Sequence, residues 1–193
     1  MPEFVNKGSA ISGGNDMTEA KPRIEHRDEY EAHSAPRPGQ VYFMSTYGCE
    51  AEEFMKVYSN NGMLGEFPAG AAFYTRRRPD DIITKDGRQM KNTQLRWLTT
   101  NQQPGAIPAD MAKLAKAIMD DLKENDKGGK LVVFDASEYV ITQTSYKSFL
   151  NLMQLMHDNV CGSKSALVIS ADPTALGVQG THLLKSSAPL QDF

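Results

Sequence analysis

Leu131-Val132-Val133-Phe134-Asp135, followed three positions on by Glu138, is the stretch that decides the fold. An unbroken apolar run of this length reads as a strand covered on both faces, as parallel strands are. Such a strand delivers its closing acid to a sheet edge. That is the Walker B shape, in which a strand-end carboxylate serves a magnesium–nucleotide complex. Its partner is missing, because no Gly-x-x-x-x-Gly-Lys-Ser/Thr loop follows any candidate strand. Without that loop there is no cradle of backbone N–H groups and no lysine for a triphosphate. The reading is therefore a nucleotidase-like fold without its phosphate site.

Working outward, Val41-Tyr42-Phe43-Met44, Ala71-Ala72-Phe73-Tyr74-Thr75, Leu95-Arg96-Trp97-Leu98-Thr99 and Ala166-Leu167-Val168-Ile169-Ser170 read as four further strands. Between them lie helical periods. Ala51, Phe54, Met55 and Tyr58 fall at i, i+3, i+4 and i+7, before Asn60-Asn61-Gly62. Over residues 108–126, Met111, Leu114, Ala115, Ile118, Met119 and Leu122 form one face, with Lys113, Lys116, Asp120, Asp121 and Lys123 assigned off it. Residues 146–160 turn Phe149, Leu150, Leu152, Met153 and Met156 inward, a short helix from Asp80 carries Ile82 and Ile83, and Asp172-Pro173 opens a last helix. Tyr139 and Ile141 are read as continuing from Asp135 in an alternating extended segment. Strands alternating with helices predict an α/β fold: a doubly wound, mostly parallel sheet of about five strands with helices on both faces.

Residues 1–38 carry Gly13-Gly14, Pro22, Pro36 and Pro38 and little apolar pattern, which predicts a disordered tail before a single domain over 39–193. Met17 offers an alternative start that would make 1–16 an expression remnant. With 40% hydrophobic and 23% charged residues, the ordered part needs no staple. Cys49 and Cys161 lack zinc or disulfide spacing and read as buried reduced thiols. No apolar run reaches the ~20 residues of a membrane span, and no signal-peptide core is visible, so a cytoplasmic location is expected. A net charge of −3 argues against broad binding to nucleic acid or to anionic membrane.

Several motifs together resemble a known family. Thr75-Arg76 with Pro79, Trp97-Leu98-Thr99, the run from Asp135 through Glu138 to Ile141, His157-Asp158, and Ser170-Ala171-Asp172-Pro173 with Leu176 are similar, in order and spacing, to the archaeal domain of unknown function 835. The resemblance spans about residues 40–184. It implies a RecA-type or circadian-clock-ATPase-type (KaiC-like) domain whose phosphate loop has decayed, often joined to signalling modules. It transfers no catalytic residue.

Ligands of such sheets sit at the carboxyl ends of strands. The candidates there are Arg76, Arg77, Arg78, Asp135, Glu138 and Asp172 for a ligand or partner, with no catalytic residue, metal site or cofactor expected. Glu50, Glu52 and Glu53 crowd the helix start where a phosphate would sit; they would repel a polyanion and suit the helix dipole instead. Asp135 and Glu138 also have a plain reading as strand-end and turn acids. The arginine run, with Lys85, Arg88, Lys91 and Arg96 downstream, is either a solvated loop or an anion site. Ten methionines allow an adaptable surface or ordinary core filling. The expected function is a non-enzymatic interaction or regulatory domain of signalling type, partnered by protein or by itself as a homodimer. The alternatives are a nucleic-acid or anion-binding module using the arginine loop, and a divergent ATPase using Asp135.

Overall fold

The computed structural model describes residues 35–45, 50–60, 63–84, 90–101, 103–123, 128–187 and 191–192. The expected tail lies outside them except at Ala35 to Pro38, where Pro36 is buried. In chain order the elements are β1 (Val41–Ser45), α1 (Glu50–Asn60), a 3-10 turn (Met63–Glu66), β2 (Ala71–Thr75), α2 (Pro79–Thr84), β3 (Thr93–Leu98), β4 (Ala106–Ile107), α3 (Met111–Leu122), β5 (Leu131–Asp135), α4 (Ser137–Gln143), α5 (Tyr146–Val160), β6 (Ala166–Ala171), α6 (Pro173–Ser187) and β7 (Gln191–Asp192).

The strands form one sheet in the order β4-β3-β2-β5-β6-β1-β7. Every neighbouring pair is parallel. The architecture is the expected doubly wound α/β fold, with seven strands among the described residues where about five were foreseen. The additions are the two-residue edge strands β4 and β7, too short to leave a period in the sequence. Among the described residues, β4 pairs only with Trp97 and Leu98 of β3, and β7 only with Tyr42 and Phe43 of β1.

Strand alternation sorts the apolar residues into two layers. On one face Tyr42, Met44, Phe73, Val133 and Val168 pack with Ala51, Met55 and Tyr58 of α1 and Ile82 of α2. On the other, Phe43, Tyr74, Val132, Phe134 and Ile169 meet Leu114 and Ile118 of α3, Val140 of α4, and Phe149, Met153 and Met156 of α5. Those two methionines of α5 are fully buried, so they fill core. Helix starts follow capping chemistry: Asp110 accepts the Lys113 N–H at 2.9 Å and Ser145 the Ser148 N–H at 3.1 Å.

Two expectations are corrected here. Residues 137–143 form helix α4, not an extended segment. Glu138 favours its first turn through the dipole, and Val140 is buried beneath it. Asp121, assigned to the polar face of α3, is buried with Leu114, Ile118 and Leu122. Its Oδ2 accepts the Tyr74 hydroxyl at 2.6 Å and Arg96 Nε at 3.0 Å, while Oδ1 accepts Lys130 Nζ at 2.7 Å and Arg96 Nη2 at 3.0 Å. Burial pushes this carboxyl up, but the bonds from Arg96, Lys130 and Tyr74 outweigh it and hold it below the ordinary aspartate value. The same burial, with Asp121 alongside, pushes the Tyr74 phenol far up.

Asp121→Ala should cost about 3–5 kcal/mol, because it leaves two cations half-buried without their partner. A folded-state value below the unfolded one means that the stabilisation is present above pH about 4 and is lost as pH falls through the depressed value. Urea unfolding of wild type and Asp121→Asn across that range should show their difference shrinking in acid. Gly129 gives a purely steric prediction: a Cβ there would lie 1.7 Å from the Lys164 carbonyl oxygen. Gly129→Ala should lose at least about 3 kcal/mol in the same measurement. Gly65→Ala, whose new methyl meets nothing within 4 Å, should stay within about 1 kcal/mol of wild type.

Candidate functional site

The helix after β2 covers one face of the sheet and the helices after β5 cover the other. The carboxyl ends of these two neighbouring strands are therefore the topological switch point, the usual ligand position of an open α/β sheet. Thr75 ends β2 and pairs in register with Asp135 at the end of β5. Asp135 Oδ1 accepts the Ser170 hydroxyl of β6 at 2.8 Å, and Oδ2 accepts the Thr75 hydroxyl at a longer 3.5 Å. One carboxyl thus ties together the ends of three adjacent strands. Burial pushes its pKa up, and repulsion from Glu138 adds to this, against the hydrogen bonds from Ser170 and Thr75 and the attraction of Arg77.

The other predicted acids serve the helix starts. Glu138 Oε1 accepts the Asp172 N–H at 2.6 Å. Asp172 Oδ1 accepts both the N–H and the hydroxyl of Thr174, at 2.7 and 2.6 Å, which caps α6 and holds this exposed carboxyl below its ordinary value. Ser137, fully buried, donates to the Ser170 carbonyl at 2.8 Å and fixes α4 to β6.

The three arginines lie on the same edge but separate. Arg77 pairs with Glu52 of α1, which is buried and also bonds Lys56 at 2.8 Å. Arg76 sets its guanidinium 3.9 Å over the Tyr139 ring and donates to the Leu98 carbonyl at 2.8 Å. Arg78 lies 5.8 Å over the ring of Trp97, whose Nε1 donates to the Arg76 carbonyl at 3.2 Å. Of the basic residues downstream, Lys91 is exposed, Arg96 is consumed by Asp121, and the side chains of Lys85 and Arg88 fall outside the described residues.

Thr75, Ser170, Glu52, Trp97 and Tyr139 were not singled out as site residues from sequence. Register would have found Thr75, which lies directly opposite Asp135 once β2 and β5 are neighbours. Glu52 left a weaker signal: it stands one position from Ala51 and three before Met55, on the margin of the apolar stripe of α1.

At the end of α5, Cys161 is exposed rather than buried as expected. Its sulfur lies 3.5 Å from His157 Nε2 and 3.9 Å from Nδ1. Among the described residues no carboxylate completes this pair as the orienting member of a catalytic triad: the Asp158 carboxylate nearest His157 reaches the same Nδ1 at 3.5 Å on an exposed helix end. Among the described residues, no group of three or more His, Cys, Asp or Glu is placed to hold a metal ion. Nor is any helix among them long and apolar enough to cross a membrane.

The fold and its edge define an all-parallel α/β domain with an acid-ended strand at a topological switch. A family model described as "Protein of unknown function (DUF835)" matches residues 63–187. The chain belongs to that family. No curated protein matches the sequence. Among solved structures, the chain is similar to one titled "Structural study of Project ID PH0250 from Pyrococcus horikoshii OT3", with a TM-score of 0.56 and 10% identity over 80% of this chain and 81% of that one. At that identity the likeness is one of fold.

Because the folded-state pKa of Asp135 is raised, the native protein holds this proton more tightly than the unfolded chain does. Wild type should lose stability relative to Asp135→Asn as pH rises through the raised value, and the two should converge in acid below the ordinary aspartate range near pH 4. Melting temperatures of both proteins across pH check this. A wild type more stable than the variant at neutral pH would contradict it.

Proposed function

We propose that the chain is a non-enzymatic interaction or regulatory domain, a nucleotidase-like layout that keeps the acid-ended strand and lacks the phosphate loop. The observation that carries this reading is the inward use of Asp135: its oxygens accept the Ser170 and Thr75 hydroxyls, so the carboxyl is engaged by the ends of β2 and β6. Holding Mg²⁺ asks for an ionised carboxylate turned to the ligand. Arg77, the cation nearest in charge to Asp135, is engaged by the buried Glu52. The helix start after β1, where phosphate would lie in a P-loop fold, carries glutamates in place of glycines and lysine. The likeness to RecA-type and KaiC-like domains, the signalling context of the family and self-association as a homodimer belong to the same reading.

Titration calorimetry with Mg-ATP and with Mg-GTP should give no saturable heat, and a phosphate-release assay should stay at background. Turnover that Asp135→Asn abolishes would make the domain an enzyme and overturn the reading. Light scattering of the full chain at high micromolar concentration should report a dimer mass, and a monomer mass would remove that part of it.

A further inference from the structure

The arginine run divides by direction. Arg77 turns inward to the buried Glu52. Arg76 and Arg78, one position to either side, are exposed, and among the described residues neither has a carboxylate within ion-pair distance. Each rests on an aromatic ring instead, Arg76 at 3.9 Å from the Tyr139 centroid and Arg78 at 5.8 Å from that of Trp97. The indole N–H bonded to the Arg76 carbonyl joins the two halves. Three separate parts of the fold, the turn after β2, strand β3 and helix α4, thus build one ledge at the carboxyl edge of the sheet.

A guanidinium already lying on a ring has lost part of the rotamer freedom that binding would otherwise remove, while its N–H groups, all but the one that Arg76 gives the Leu98 carbonyl, stay open to an acceptor. Trp, Tyr and Arg are also the residues that concentrate binding energy in protein interfaces. We propose that Arg76, Arg78, Trp97 and Tyr139 form the docking surface for a short acidic segment of a protein partner. Its carboxylates pair with the two guanidinium groups, and an apolar side chain lies on the indole. This rests on the interaction-domain reading and names its surface.

The surrounding charge selects a peptide over a nucleic acid. Asp80 and Asp81 are exposed in the first turn of α2, directly after Arg78, and Glu138 precedes Tyr139. A phosphate backbone, with a charge about every 3.4 Å along each strand, would run onto these acids. A segment with two carboxylates carries fewer charges to set against these acids.

Trp97 is the only tryptophan in the sequence, so its fluorescence reports on the ledge without a label. Two probes are titrated into the full chain: a synthetic peptide of glutamates flanking one leucine, and a single-stranded oligothymidylate of equal charge. The peptide should change Trp97 emission saturably. Arg76→Ala and Arg78→Ala should each weaken it about ten-fold; Arg78→Ala should leave the melting temperature near wild type, while Arg76→Ala should lower it because the Leu98 carbonyl loses a donor. Arg77→Ala should do the reverse of Arg78→Ala, lowering the melting temperature and leaving affinity within about two-fold, since it strips a buried acid of a partner. No saturable response to the peptide, or one that survives Arg76→Ala/Arg78→Ala, overturns the proposal. Tighter binding of the oligothymidylate also overturns it and assigns the ledge to nucleic acid. These outcomes are separate from the turnover assay, which alone decides against the interaction-domain reading.

Discussion

The constraint on which the structure depends is the burial of β5 on both faces. Leu131 to Phe134 are wholly removed from solvent, so the strand must have a parallel neighbour on each side and helices above and below. Neighbouring β2 supplies one side and β6 the other. Because β2 leads to α2 on one face and β5 leads to α4 and α5 on the other, the chain parts at their shared end. The switch point and the position of Asp135 at it follow from how β5 is buried. No specialised loop is needed to create that position.

Each face also holds one buried acid that binds two cations from different elements. On the α3 side Asp121 takes Arg96 of β3 and Lys130, which precedes β5; on the α1 side Glu52 takes Arg77, which follows β2, and Lys56 of its own helix. Such pairs add little net stability over apolar residues of similar volume, because desolvation offsets the attraction. Their effect is positional. An apolar helix face can slide along a sheet at small cost, whereas a buried carboxylate must meet its cations or stand unpaired. Asp121 thereby sets α3 against β2 and β3, and Glu52 sets α1 against the turn that carries the arginines.

Sequence periodicity found β2 and β5 to the residue, and α5 as well, because their apolar patterns are strong and their ends carry turn or capping residues. It failed where a polar residue occupies an apolar position. Asp121 is seven positions after Leu114 and three after Ile118, so the helical period itself places it on the buried stripe. Reading it by residue type instead moved it to solvent, since burying an aspartate depends on Tyr74, Arg96 and Lys130, which lie elsewhere in the chain. Helix α4 was missed for a related reason. Tyr139 and Ile141 are aromatic and β-branched residues two positions apart, as on one face of a strand, and the anchors that make the segment helical, buried Val140 and the bond from Ser137 to the Ser170 carbonyl, are tertiary. The candidate site was legible as a set of residues at strand ends. Its division into inward and outward groups was not, because adjacent arginines look alike until their partners are known.

That division bears on how the carboxyl edge of the sheet is held together. Asp135 satisfies itself within the sheet through Ser170 and Thr75, and Glu138 and Asp172 secure the helices that follow β5 and β6. These contacts tie the acids of this edge to neighbouring strands and helix starts. The turn after β2 holds Arg76 and Arg78 at defined positions because Thr75 Oγ1 accepts the Arg77 N–H at 3.2 Å, a backbone bond that does not depend on the Arg77 side chain. The inward pair of Arg77 with Glu52 therefore serves stability, while the outward pair is held by the turn itself and by the rings of Tyr139 and Trp97.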